Sequence, residues 1–205
     1  MEPLAPSKIV AQVVVVALLF IMAVFRPTPR LRLLAFGMIS MIVYGILQDT
    51  ITTRLSIGYF TIAHPRVWES DEPLLHALAW GFLGGWPAGL GLGLTLSLTA
   101  TLGNWPTMGI GQLVRPVFYL LFGMGVVVTV TGIAAWMIYG QLGSELRSID
   151  PTIPLTEHRG FFTVACAHYA AYMSGIIGNV ILAYYIVGTR VQLARFYASP
   201  TERLN

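Results

Sequence analysis

Asp49, His64, His76 and His168 combine a carboxylate with three imidazoles, the donor types that hold copper, zinc or iron. Brought together, they would form a transition-metal site. No HxH, HExxH or CxxC pair strengthens that reading, so it rests on the residue types alone. The same residues suit an organic ligand, with Tyr59 and Tyr172 as hydrogen-bond donors. His168, Tyr172, Gly175 and Asn179 recur at spacings of four, three and four, which puts them on one helical face. A polar stripe in an apolar helix points to a site by default, because polar groups inside a membrane face a cavity or the bundle interior. The alternative is that His168 bonds a carbonyl or Tyr172 and only joins helices. The candidate ligand-binding set is therefore Asp49, Tyr59, His64, His168, Tyr172 and Asn179. Glu157 and His158 are adjacent in a polar stretch and read as solvated.

The elements that must position these groups follow from composition. Of 205 residues, 56% are hydrophobic and 10% charged, against about 25% charged in a soluble domain. Such a chain cannot clothe a water-soluble globule. The uncharged runs predict an all-α membrane protein, a bundle of about five transmembrane helices in a single domain over 1–205. The spans fall near 9–25, 31–48, 74–102, 113–139 and 161–188, since a helix needs about 20 apolar residues to cross the hydrocarbon. Open strands would leave backbone groups unsatisfied there. The run 9–25 follows Lys8 as the core of a signal peptide would, but no small-residue cleavage site follows it, so an uncleaved first span is expected. Residues 49–73 form one long outer loop, rich in aromatic and β-branched residues, which is expected to fold back on the membrane surface. Ser70, Asp71, Glu72 and Pro73 read as a helix start, with Ser or Asp as cap and Pro in the first turn.

Arginine placement sets the expected orientation. The basic turn at Arg26, Arg30 and Arg32 belongs on the cytoplasmic side, which puts the N-terminus outside and the C-terminus in the cytoplasm of a multi-pass cell-membrane protein. All carboxylates but Glu202 then lie on the outer side, together with the histidines. The arginines flank apolar runs instead of forming a basic stripe, which excludes nucleic acid as a partner. Cys166 is the one cysteine, so no internal disulfide forms.

Gly81, Gly85, Gly89 and Gly93 repeat every fourth residue and clear one helix face for a close neighbour. Small residues on the last span, including Ala171, Gly175 and Gly178, make that span the expected neighbour. Pro87 removes a backbone donor and is expected to kink or break the helix. GLGLGL at 89–94 lies in a span with no phosphate-binding lysine, so it is not a nucleotide loop. The span interiors carry no repeated charges of the kind a channel uses.

Residues 43–61 (VYGILQDTITTRLSIGYFT) and 168–175 (HYAAYMSG) resemble a group of small, uncharacterised bacterial multi-pass membrane proteins. The resemblance lies in Tyr44, Gly45 and Asp49 on one span, Tyr59, Phe60 and Thr61 outside it, and His168 with Tyr172 four apart. Gly58 stands where that pattern has an acidic residue, and Tyr169 where it has asparagine. The resemblance implies a bacterial inner membrane and names no reaction. Three functions stay open: binding of a metal or small ligand at the outer His/Asp/Tyr cluster, an accessory or scaffold subunit packing through its glycine face, and a small-solute transporter. Whether the chain is an enzyme is left open. The expected partners are the bilayer and either another membrane protein or a second copy.

Overall fold

The computed structural model describes residues 5–67, 69–141 and 153–198. Among these the chain is entirely helical: α1 (Pro6–Phe25), α2 (Pro29–Leu55), α3 (Ile57–Thr61), α4 (Pro73–Thr101), α5 (Ile110–Tyr139) and α6 (His158–Ala198). Four of them, α1, α2, α5 and α6, are long and apolar enough to cross a membrane. α4 has the length, but its glycines, tryptophans and proline dilute its hydropathy. α1 buries only Val16 and leaves Val13, Leu18, Ile21 and Phe25 on the surface, as suits a helix bathed in hydrocarbon. At 41 residues α6 is about 60 Å long, twice the apolar thickness of a bilayer.

Proline begins α2 and α4, where its missing N–H costs nothing. Thr28 caps α2 by accepting from the Leu31 amide. The α4 cap position is Glu72, not Ser70 or Asp71, although the Ser70 hydroxyl accepts from the Glu72 amide at 3.2 Å. α4 continues as one helix through Pro87, so of the expected kink or break the break does not occur.

The packing of α4 places the glycine ribbon differently from the sequence reading. α4 lies along α2, and α6 packs mainly on α5. A Cβ added to Gly81, Gly85 or Gly89 would stand 2.6, 2.8 and 2.6 Å from the Cα atoms of Ile46, Ile42 and Met38, and Gly37 and Gly93 meet backbone to backbone. Close approach of this kind admits only glycine. The ribbon is thus covered by α2 of the same chain. A core of Leu33, Leu92, Leu96, Leu113, Val117, Leu182 and Ile186 gathers toward the C-terminal end of α4.

At that end Arg190 is 1% exposed. Its guanidinium donates to the carbonyls of Thr99 (2.6 Å), Pro106 (2.8 Å) and Trp105 (3.0 Å). Thr99 accepts in the last turn of α4, where unpaired carbonyls and the helix dipole favour a cation, and Trp105 and Pro106 accept from the connection that follows it.

Candidate functional site

α2 does not stop at Gln48 but continues to Leu55, so Asp49 lies inside a helix, 5% exposed, and not at the head of a loop. Thr50, Thr52 and Thr53 make this extension possible: each hydroxyl donates to the carbonyl four residues back and so hides its polarity. Ser56 then ends α2 and caps α3, accepting from the Tyr59 amide. This short helix turns Tyr59, Phe60 and His64 back over the bundle. His168 approaches from α6.

The result is a cavity of about 170 Å³ whose walls include Tyr44, Gln48, Asp49, Tyr59, Phe60, His64, Trp80, His168 and Tyr172. His168 Nε2 lies 3.5 Å from Asp49 Oδ1 and 3.4 Å from Thr52 Oγ1. Both contacts fall on one ring nitrogen. A hydroxyl–imidazole–carboxylate relay would use the two nitrogens separately, so Thr52 is not an activated nucleophile. With Nε2 protonated, the ring is directed at Asp49 and Thr52 together, and Nδ1 is its acceptor nitrogen.

Aromatic rings enclose this pair. Tyr59 lies 4.9 Å from both His64 and His168, centroid to centroid, and 5.4 Å from Phe161. Phe60 stands 5.7 Å from His168 and Trp80 4.9 Å from His64. His64 Nδ1 is 2.9 Å from the Tyr59 carbonyl, which orients the ring with Nδ1 as donor. Burial, with smaller contributions from Tyr172 and Asp49, pushes the Tyr59 phenol well above its ordinary range, so it stays a neutral hydrogen-bonding group. Tyr44 and Trp80 also line this space, and the Tyr44 hydroxyl and Trp80 Nε1 are buried and unbonded. Sequence reasoning missed Trp80 and Thr52. Trp80 stands one turn beyond His76 on α4, and no motif marks it.

The candidate residues therefore divide. Asp49, Tyr59, His64, His168 and Tyr172 share the cavity. Asn179 does not; it lies in an adjoining cavity of about 320 Å³ that shares Tyr172, Met41 and Met124 with the first. There Asn179 Nδ2 donates to Thr95 Oγ1 at 3.0 Å. The four-residue metal set is not assembled. His76 is buried outside the cavity wall and its Nε2 lies 2.7 Å from the Ser70 carbonyl, which ties the α3–α4 connection to α4. Among the described residues no three His, Cys, Asp or Glu side chains could hold a metal ion. His158 is also not solvated: it is buried, with Nε2 2.8 Å from the Ile153 carbonyl, and the Glu157 carboxylate lies over Gly58, where a Cβ would meet it at 2.6 Å.

Comparison of the chain with protein-family models, curated proteins and solved structures found no match. The functional reading therefore rests on the cavity.

Proposed function

We propose that this is a five-span membrane protein, α4 being the fifth span, with the N-terminus outside. Its cavity binds a small uncharged molecule carrying both hydrogen-bond donor and acceptor groups. The carrying observation is that Tyr44 and Trp80, whose hydroxyl and Nε1 are buried and unpartnered, line the same cavity as the Asp49–His168 pair. A buried donor left unmade costs about 1–3 kcal/mol. A guest that accepts from Trp80 and Tyr44 and donates to Asp49 or His168 would recover that cost. A charged guest would have to leave water for this depth, so a neutral guest is favoured over an ion.

Size narrows the class. An engineered apolar cavity of roughly 150 Å³ takes benzene, so this one suits a single ring or its equivalent. Gly84, Ala88 and Tyr172 line the cavity and are exposed, so they frame its mouth on the lateral surface of the bundle. In the five-span arrangement that mouth opens toward lipid, and the guest is an amphiphile dissolved in the membrane. The scaffold reading relied on a free glycine face, and α2 covers that face.

The test is thermal unfolding of the purified full chain in detergent with phenol and benzamide, against benzene and benzoate. Stabilisation by the first two, and not by the second two, is the expected result. Equal stabilisation by benzene would mean that the cavity selects size alone, and no stabilisation by any probe would remove the ligand-binding reading.

A further inference from the structure

A second and larger opening lies between α5 and α6. It has a volume of about 970 Å³ and is lined on one side by Arg115, Tyr119, Gly123 and Val127, and on the other by Met173, Ile177, Ile181 and Tyr185. Its walls are mostly apolar, with Ser174 and Thr131 as the polar side chains away from the Arg115 end. From Arg115 to Thr131 along α5 it runs about 24 Å, more than the roughly 15 Å of hydrocarbon in one leaflet. At about 970 Å³ over that length, the groove is wide enough for hydrocarbon chains.

Arg115 is the single charged side chain lining the groove, and it stands at one extremity. Its Nε donates to the Tyr119 hydroxyl at 2.9 Å, and the guanidinium lies 5.5 Å from the centre of that ring. Among the described residues no carboxylate pairs with it. Its remaining N–H groups form a fork suited to the oxygens of a phosphate, and the Tyr185 hydroxyl closes the opposite wall. Trp105 and Arg190 mark the same end of the bundle, an arrangement of aromatic and basic residues typical of a membrane–water interface.

We infer that the α5–α6 groove binds an anionic phospholipid, with the phosphate on Arg115 and an acyl chain along Gly123 toward Thr131. Charge complementarity at one end and mostly apolar walls along the rest select this occupant over a neutral lipid. Gly123 keeps the channel open: a Cβ there would meet nothing within 4 Å, so a larger side chain would extend into the lipid's space without disturbing the protein. The groove shares Met124 with the Asp49–His168 cavity, but the inference does not depend on what that cavity binds.

The experiment is native mass spectrometry of the full chain released from nanodiscs of phosphatidylglycerol and phosphatidylcholine mixed equally, for wild type, Arg115→Gln and Gly123→Leu. Wild type is expected to retain one phosphatidylglycerol at least about fivefold over phosphatidylcholine. Arg115→Gln should abolish that preference while some lipid is still retained, and Gly123→Leu should lower retention of both. Equal retention of the two lipids by wild type would overturn the inference, since it describes ordinary annular lipid. A wild-type dimer that Gly123→Leu dissociates would also overturn it and assign the groove to a second copy.

Discussion

Asp49 Oδ1 and His168 Nε2 stand 3.5 Å apart and form a polar link between α2 and α6 at the wall of the cavity. At that separation the contact is longer than an ordinary hydrogen bond and leaves each group capacity for another partner.

Truncating one member should expose the coupling. His168→Ala is expected to destabilise the protein by about 1–3 kcal/mol, because Asp49 is left buried without its donor. Asp49→Asn keeps an acceptor oxygen and should cost less. Denaturant unfolding of both variants and the double variant checks this, and the double variant should lose less than the two single losses combined.

The glycine ribbon yields a paired test. Gly89 is pressed against Met38 of α2, whereas a Cβ at Gly91 meets nothing within 4 Å. Gly89→Leu should cost several kcal/mol or prevent accumulation of folded protein, because overpacking a close helix contact forces the backbones apart. Gly91→Ala should be neutral or stabilising by up to about 1 kcal/mol. Thermal melts of the two variants separate the outcomes.

Arg190 tests the other end of the bundle. Arg190→Met removes three charge-assisted bonds and strands the carbonyls of Thr99, Trp105 and Pro106, with an expected loss of about 2–4 kcal/mol. Arg190→Lys should recover only part of it, because an ammonium lacks the planar fork that reaches three fixed acceptors. Unfolding midpoints for the two variants give the comparison.

Orientation is tested by single cysteines introduced at Asp71 and Arg195 in a Cys166→Ala background. An impermeant thiol reagent added to intact cells should label position 71 and spare position 195. The reverse pattern would invert the proposed topology.

Hydropathy made the long helices legible because uncharged runs of that length have few other uses. It misplaced the end of α2 because Thr50, Thr52 and Thr53 satisfy their hydroxyls on their own helix, a pairing that a residue scale does not register. The spacing of His168 and Tyr172 correctly marked a face of α6. That face is longer than the cavity, however, so the same stripe carried Asn179 into the next one. His64 reaches the site only because α3 folds back, whereas His76, twelve positions later, is turned away to the Ser70 carbonyl. Counting donor types could not separate those two histidines. The glycine repeat announced a close neighbour without naming it, since α2 and α6 both offered small residues and only the fold chose α2.

The most direct test of the cavity is saturation-transfer NMR with phenol on wild type, on the Asp49→Asn, His168→Ala double variant, and on Gly84→Leu. Gly84 lines the mouth and a Cβ there meets nothing within 4 Å, so leucine should block entry without disturbing the fold. A phenol signal in wild type that is lost in both variants is the predicted result. A signal of equal strength in all three would place phenol elsewhere and contradict a binding role for the Asp49–His168 cavity.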